Sequence, residues 1–274
     1  MPELPEVETV ANGVHQRVHG QTILSVWTSN KPQTFKSAPA QIAEVLTGSR
    51  IDRVHRVGKT IVFDLIRKRA KDKPEAPAQF LVHLGMTGRL LVSSPETELP
   101  PHTHAILTLN GGKEIRFVDA RRFGRLSVAS DSYTGPGREP LTISLEDFIA
   151  LFRNRKTPIK AALLNQKLLH GVGNIYADEA LFHAGIRPRR QAGRLTRDEL
   201  TRLRAALVKV LKHAIQLGGS SVSDYVDAEG VAGFFQLHHR VYSRTGQPCR
   251  TCSTPIERIV IGGRSTHFCP TCQK

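Results

Sequence analysis

The sequence predicts an α+β chain with more than one domain. An N-terminal helix leads into a β-sandwich or barrel-like domain, and a helical part then ends in a metal-pinned hairpin. Three observations carry this reading. Short β-rich runs fill the first half of the chain, helical periodicity replaces them after a Gly- and Pro-rich stretch, and all four cysteines lie between positions 249 and 272. With 274 residues there is enough chain for two domains with separate cores.

The first helix follows from Val7, Val10, Ala11, Val14 and Val18, which recur at helical spacing from Pro5 onward. Pro5 suits a first helical position, and Glu6 and Glu8 complement the positive end of the helix dipole. Strands are expected near 22–28, 50–57, 60–66, 79–84, 88–93, 104–109, 114–119 and 125–129, many of them bounded by Gly, Pro or polar turns. The basic stretch from Arg67 to Lys73, followed by Pro74 and Pro77, reads as a hairpin loop. Asp131 to Pro140, with Gly135-Pro136-Gly137, is the clearest linker. Beyond it, Ser144 can cap a helix with Asp147 in its first turn, and Thr157-Pro158 starts another. Gly185 ends a helix running from about Asn174. Thr196 opens the longest one, whose apolar face is Leu200, Leu203, Leu207, Val210, Leu211, Ala214 and Leu217, with Gly218-Gly219 as its stop.

Cys249-x2-Cys252 and Cys269-x2-Cys272 are two knuckles sixteen residues apart. Four thiolates so spaced suit one tetrahedral Zn2+ in a closed, structural site. β-type residues flank Gly262-Gly263 between the knuckles, which predicts a zinc ribbon whose folding depends on its metal. Arg264 follows the glycine pair and falls at or near the hairpin tip, where a rigid mount suits insertion into a nucleic-acid groove.

Lys and Arg outnumber Asp and Glu by 39 to 24, a net charge of +15. The excess favours a polyanionic partner, nucleic acid before membrane, with salt-sensitive association. Ribosomal and membrane-surface proteins share that balance. There is no apolar run of bilayer length and no leader-like start, so a cytoplasmic protein is expected. Cysteines confined to one end argue against a disulfide-stapled secreted fold.

The start, Met1-Pro2-Glu3-Leu4-Pro5-Glu6, can place a secondary amine beside two carboxylates once Met1 is removed. An α-amino group with a pKa of about 7.7–8.0 is roughly a tenth neutral at pH 7, against well under about a thousandth for lysine. A secondary amine attacking a sugar carbon gives, once its N–H proton is lost, an iminium whose positive charge is permanent, which suits covalent catalysis at an aldehyde-like centre. Gly171-Val172-Gly173-Asn174 leads into a helix whose free amides can meet a phosphate. His83-Leu84-Gly85-Met86-Thr87-Gly88 and Asp119-Ala120-Arg121-Arg122-Phe123-Gly124 each join two strands. Met86 and Phe123 read alone as core residues; beside an arginine they suit wedges that open a base stack. Lys59 follows a glycine at a strand start and could contact a phosphate near the amine.

Taken together, these blocks resemble the formamidopyrimidine-DNA glycosylase and endonuclease VIII family of bacterial base-excision repair enzymes. Pro2-Glu-Leu-Pro-Glu-Val-Glu-Thr9 is closer to the first branch. The resemblance continues through His83–Gly88, Arg121–Gly124, Gly171–Ala177 and the four cysteines, essentially the whole chain. It implies an N-terminal helix plus β-sandwich (1–131), a linker (132–140), a helix–two-turn–helix domain with a lesion loop (141–235) and a zinc ribbon (236–274). It also implies a bifunctional glycosylase and abasic-site lyase acting on oxidised purines, 8-oxoguanine and formamidopyrimidines, in damaged double-stranded DNA.

In that scheme Pro2 attacks the deoxyribose C1′ of a flipped nucleotide, expels the base and forms a Schiff base. Glu3 moves protons during ring opening, and β then δ elimination leaves a one-nucleotide gap with a phosphate at each end. Glu6 fixes the terminus, Lys59 holds a phosphate, and Asn174 and Arg264 clamp the backbone around the lesion, placing Arg264 in both the catalytic and the DNA-binding set. Met86, Arg121 and Phe123 fill the void, with Arg121 reading the opposite base. His102, Arg122, Lys160 and Tyr242 join the DNA-contacting set. Gly218 to Phe235 corresponds to the loop that closes over the damaged base, but Val231-Ala232 stands where a basic residue and proline are common. One structural Zn2+, a monomer and a nucleoid-associated cytoplasmic location complete the expectation.

Two other readings compete. A catalytically silent lesion- or structure-binding protein on the same scaffold would bind without scission or a trapped adduct; Pro2, Glu3, Glu6 and Lys59 argue against it. A zinc-ribbon RNA- or ribosome-associated protein would prefer structured RNA, and would leave the terminal amine and the wedge loops unexplained.

Overall fold

The computed structural model describes residues 1–67, 76–221 and 225–274, which form two compact units: 1–134 with 218–233, and 135–217 with 234–274. The expected loop at 67–73 lies, from residue 68 on, outside the described residues.

In the first unit, α1 (Leu4–Val18) buries Val7, Val10, Ala11, Val14 and Val18, the stripe that its spacing predicts. Glu3 is its N-cap in extended backbone, with Glu6 reaching back in a capping box. All eight expected strands form: β1 (Ile23–Thr28), β2 (Ser49–Val57), β3 (Thr60–Arg67), β4 (Ala76–His83), β5 (Arg89–Ser93), β6 (Thr103–Leu109), β7 (Glu114–Val118) and β8 (Arg125–Ala129). They make two antiparallel four-stranded sheets, in the orders β1-β6-β7-β5 and β2-β3-β4-β8. Side chains from both sheets and from α1 share one core, including Ile61, Phe63, Phe80, Leu107 and Phe117. A short helix, α2 (Pro39–Leu46), was not expected. Pro39 opens it, and Ile42 and Leu46, one turn apart, are buried in the same core. Each such burial is worth about 1.5–3 kcal/mol, enough to hold a helix too short to persist alone.

In the second unit, α3 (Leu145–Phe152) starts at Ser144, whose Oγ accepts from Asp147 N–H. α4 (Ile159–Leu164) follows Pro158, and α5 (Asn174–Ala184) ends at Gly185 in left-handed backbone, φ 69°. α6 (Arg197–Gln216) carries a Thr196/Glu199 capping box. The ribbon hairpin is β9 (Glu257–Ile261) and β10 (Arg264–Phe268), and Gly262 and Gly263 supply the two positive φ values of its turn. The architecture is therefore α+β, with a β-sandwich, a helical part and a zinc-ribbon hairpin. No helix among the described residues is long and apolar enough to cross a membrane.

One boundary differs from expectation. Residues 218–233, grouped with the helical domain by sequence, pack in the first unit. The reason is local: Ser220 N–H donates to Glu6 Oε1 at 2.8 Å, Val92 N–H donates to Ala228 O at 3.1 Å, and Arg17 pairs with Glu229. Ala228 is buried, and a Cβ on Gly13 of α1 would come within 3.2 Å of its own. Residues 222–224 of the expected lesion loop lie outside the described residues.

Candidate active site and nucleic-acid interface

The N-terminus is built around one carboxylate. Glu6 is buried; its Oε2 accepts from Glu3 N–H at 2.8 Å and its Oε1 from Ser220 N–H at 2.8 Å. Tyr225 OH donates to Glu6 O at 3.3 Å, and burial, followed by the Glu6 charge, pushes its phenol pKa up, so the hydroxyl stays a donor. Glu3 is itself buried directly after Pro2, while Met1 is 50 % exposed. Pro2, Glu3 and Glu6 thus come together at the start of α1, held in register by hydrogen bonds that do not involve Met1.

Lys59 sits half-buried in the turn between β2 and β3, where Gly58 has φ 61°. Arg56 braces that turn to α1: its Nε donates to Glu8 Oε2 at 2.6 Å and its Nη1 to Gly58 O at 3.1 Å. Sequence reasoning missed Arg56, because its partner on α1 lies 48 residues away. His83 is the second neighbour. Burial, then the charges of Lys59 and Arg125, lower its pKa. The neutral ring accepts from Gly85 N–H through Nδ1 at 3.1 Å, tying the Met86 loop to the end of β4.

The loops 83–88 and 119–124 meet at Asp119, a fully buried carboxylate. Its Oδ1 accepts from Thr87 Oγ1 at 2.6 Å and from Arg121 N–H at 3.2 Å; its Oδ2 accepts from Gly124 N–H at 2.7 Å. The loops touch through backbone: a Cβ on Gly85 would lie 2.5 Å from Phe123 C and Gly124 N. This frame presents Met86 at 39 % and Phe123 at 48 % exposure, so neither is a core residue. The Arg121 guanidinium stacks 4.9 Å above the Phe123 ring. Arg122, with φ 56°, and His102, with φ 65°, are also exposed, and His102 O accepts from Asp119 N–H at 3.0 Å. Buried Arg116 donates to four carbonyls, those of Ser94, Pro95, Thr97 and Glu98, and so orders the loop that precedes His102.

In the second unit, Gln166 shapes the glycine turn before α5. Its Oε1 accepts from Gly171 N–H at 2.9 Å and its Nε2 donates to Val172 O at 2.8 Å. Asn174 opens α5, with Nδ2 3.5 Å from Ser265 Oγ. Arg264 is exposed at the start of β10. Tyr242 is half-buried, its loop fixed by Glu179, whose carboxylate accepts the backbone N–H groups of Arg240, Val241 and Tyr242 at 2.9–3.0 Å. Lys160 departs from expectation. It is wholly buried, its Nζ 2.6 Å from Asp178 Oδ1 and donating to Ser265 O at 2.7 Å, so it faces the hairpin rather than solvent. An ammonium so deep is stable because a carboxylate and a carbonyl replace its water.

The Sγ atoms of Cys249, Cys252, Cys269 and Cys272 all lie within 4.8 Å of one another. Tetrahedral Zn–S bonds of about 2.3 Å place sulfurs roughly 3.8 Å apart. The Cys249–Cys272 separation is 3.9 Å and Cys252–Cys269 is 3.4 Å, far beyond a disulfide and close to that geometry. Thr251 N–H and Cys272 N–H each point at a knuckle sulfur at 3.4 Å, as thiolates require. The donor set is that of a closed structural zinc site, with Phe182, Val241 and Ile256 packed around it.

Residues 1–126 match the Formamidopyrimidine-DNA glycosylase N-terminal domain, 136–226 the Formamidopyrimidine-DNA glycosylase H2TH domain, and 246–274 the zinc finger found in FPG and IleRS. The chain is 45 % identical over 277 residues to a formamidopyrimidine-DNA glycosylase of Solibacter usitatus, and 41 % over 281 residues to that of Herpetosiphon aurantiacus; each match covers 100 % of both chains. Among solved structures it is similar to the MutM (FPG) protein from Thermus thermophilus, with TM-score 0.84 and 41 % identity over 99 % of this chain and 98 % of that one. A Lactococcus lactis FPG mutant in complex with Fapy-dG-containing DNA aligns with TM-score 0.88 and 31 % identity over 100 % of both chains.

Proposed function

The chain belongs to the formamidopyrimidine-DNA glycosylase family, and from that premise we propose that Pro2, freed by removal of Met1, is its nucleophile. The protein is a DNA glycosylase of base-excision repair, and its partner is damaged DNA. Its ribbon holds one structural zinc. The observation that carries the catalytic reading is the buried Glu3–Glu6 pair behind Pro2, which fixes an amine next to a proton-transferring carboxyl.

The Pro2 nitrogen bonds to C1′ of the flipped deoxyribose as the C1′–base bond breaks, and the base leaves with a proton. Glu3 protonates the ring oxygen as the sugar opens, which leaves an iminium between Pro2 and C1′. Loss of a C2′ proton expels the 3′ phosphate, and a second elimination expels the 5′ phosphate. Water then releases the sugar remnant from Pro2.

Around this chemistry each group has a task. Glu6 holds the terminus and Lys59 neutralises a phosphate. Met86 and Phe123 occupy the vacated stack, and Arg121 contacts the opposite base. Asn174, Tyr242 and Arg264 hold the backbone, with His102 and Arg122 as further phosphate contacts. The net charge of +15 supports salt-dependent capture of duplex. We place the enzyme in the cytoplasm, on nucleoid DNA, as a monomer.

The preferred substrates are 8-oxoguanine and formamidopyrimidines. Single-turnover excision from matched duplexes tests this: 8-oxoguanine opposite cytosine should be released at least about tenfold faster than an oxidised pyrimidine. A faster pyrimidine reaction overturns the preference, and release without strand cleavage overturns the lyase step.

A further inference from the structure

We propose that Asp178, a buried carboxylate on α5, is a positioning residue that sets the β9–β10 hairpin, and with it Arg264, at the register needed to hold the DNA backbone. The inference rests on the reading of Asn174 and Arg264 as backbone-holding groups. In the hairpin, Arg264 pairs with Ile261 across a two-residue turn, so residues 264, 266 and 268 bond to β9 while 265 and 267 point their backbone groups to the opposite edge. That edge is buried, and no strand covers it among the described residues.

An ion pair does the work of a strand there. Lys160 Nζ donates to Ser265 O at 2.7 Å, and Asp178 Oδ2 accepts from His267 N–H at 2.9 Å. The two groups are joined to each other at 2.6 Å, both fully buried. Asp178 Oδ2 also lies 3.2 Å from His267 Nδ1. Alternate residues of β10 are therefore gripped from α4 and α5 at once.

Asn174 and Asp178 are four positions apart and share one face of α5. Asn174 Nδ2 is 3.5 Å from Ser265 Oγ, one residue from Arg264, while Asp178 engages His267. The same helix thus carries one phosphate-holding side chain and fixes the strand that carries the other. A slip of β10 by one residue would turn Arg264 to the other face and break both bonds.

A double-mutant cycle tests this, with binding to a duplex carrying a tetrahydrofuran abasic analogue measured by fluorescence anisotropy on the zinc-loaded full chain. Lys160→Met with Asp178→Leu removes both charges together, so that neither is left buried alone. The expected result is one zinc per chain retained, affinity reduced about tenfold, and KM raised more than kcat is lowered. In an Arg264→Ala background the same change should cost less than about twofold, because it acts through Arg264. Asp178→Asn, which keeps an acceptor for His267 N–H, should retain more affinity than Asp178→Ala. Equal losses in both backgrounds, or no loss, overturn the proposal while leaving Arg264 as a DNA contact. An Arg264→Ala variant with undiminished binding overturns the reading of Arg264 and this proposal with it.

Discussion

Glu3→Gln is expected to slow single-turnover excision by about 10^2- to 10^4-fold, the range for a positioned general acid–base, while duplex affinity changes by less than about threefold. The separation follows from the cap. Glu3 is the N-cap of α1, and the bond that ties it to the first turn runs from its own backbone N–H to Glu6 Oε2 at 2.8 Å. A glutamine has nearly the same shape and leaves that bond in place, so helix start and Pro2 register survive while the transferable proton is lost. Glu6→Gln gives the contrasting result. Two N–H groups, of Glu3 and Ser220, use both Glu6 oxygens, and an amide can serve only one of them. Leaving the other unsatisfied in a buried site costs about 1–3 kcal/mol and loosens the terminus. Rapid-quench excision kinetics beside anisotropy binding separate the two variants. A Glu3→Gln enzyme that excises within about tenfold of the parent rate would remove the proton-transfer role from Glu3.

Removing the zinc has the second large effect. Structural zinc contributes about 10–16 kcal/mol of apparent folding energy in zinc-finger peptides, as much as the whole stability of a typical domain. The ribbon's own hydrophobic cluster is small: Phe182, Val241, Ile256 and the buried Cys249 and Cys269. Chelation, or Cys269→Ser, should therefore unfold residues 246–274 and leave Arg264 without its rigid mount. Affinity for abasic-analogue duplex should fall at least about 100-fold, and hydrogen exchange of the β9–β10 amides should become rapid. The first unit has its own core and should keep its protection pattern. Unchanged binding by zinc-free protein would contradict this.

The local signals in the chain were strong where structure is local. Eight strands, five of the six helices, the capping residues Ser144 and Thr196 and the glycine-led hairpin turn follow from periodicity and turn chemistry. α2 was missed although Pro39, Ile42 and Leu46 carried its signal, because eight residues make little more than two turns. Apart from Glu6, most of the residues that organise the site were not legible. Asp119 meets Thr87 across 32 residues, Glu8 meets Arg56 across 48, and Asp178 meets His267 across 89. No spacing rule connects such pairs; only the fold brings them together. Lys160 shows the opposite failure. The resemblance places Lys160 among the phosphate-contacting positions, whereas its burial against Asp178 turns it toward the hairpin. The 218–233 segment follows α6 in sequence, yet Glu6 and Gly13 of α1 draw it into the first unit.

The central claim is that the amine of Pro2 forms a covalent bond to the damaged nucleotide. Borohydride trapping tests it most directly, on a duplex with a single 8-oxoguanine opposite cytosine, beside a Pro2→Gly variant and an undamaged duplex, with Met1 removal verified by mass. A stable protein–DNA adduct and strand cleavage, seen with the lesion and intact Pro2 and strongly reduced otherwise, is the predicted result. Tight binding to the lesion with no adduct and no cleavage would contradict it, and would make this chain a damage-binding protein on a glycosylase scaffold.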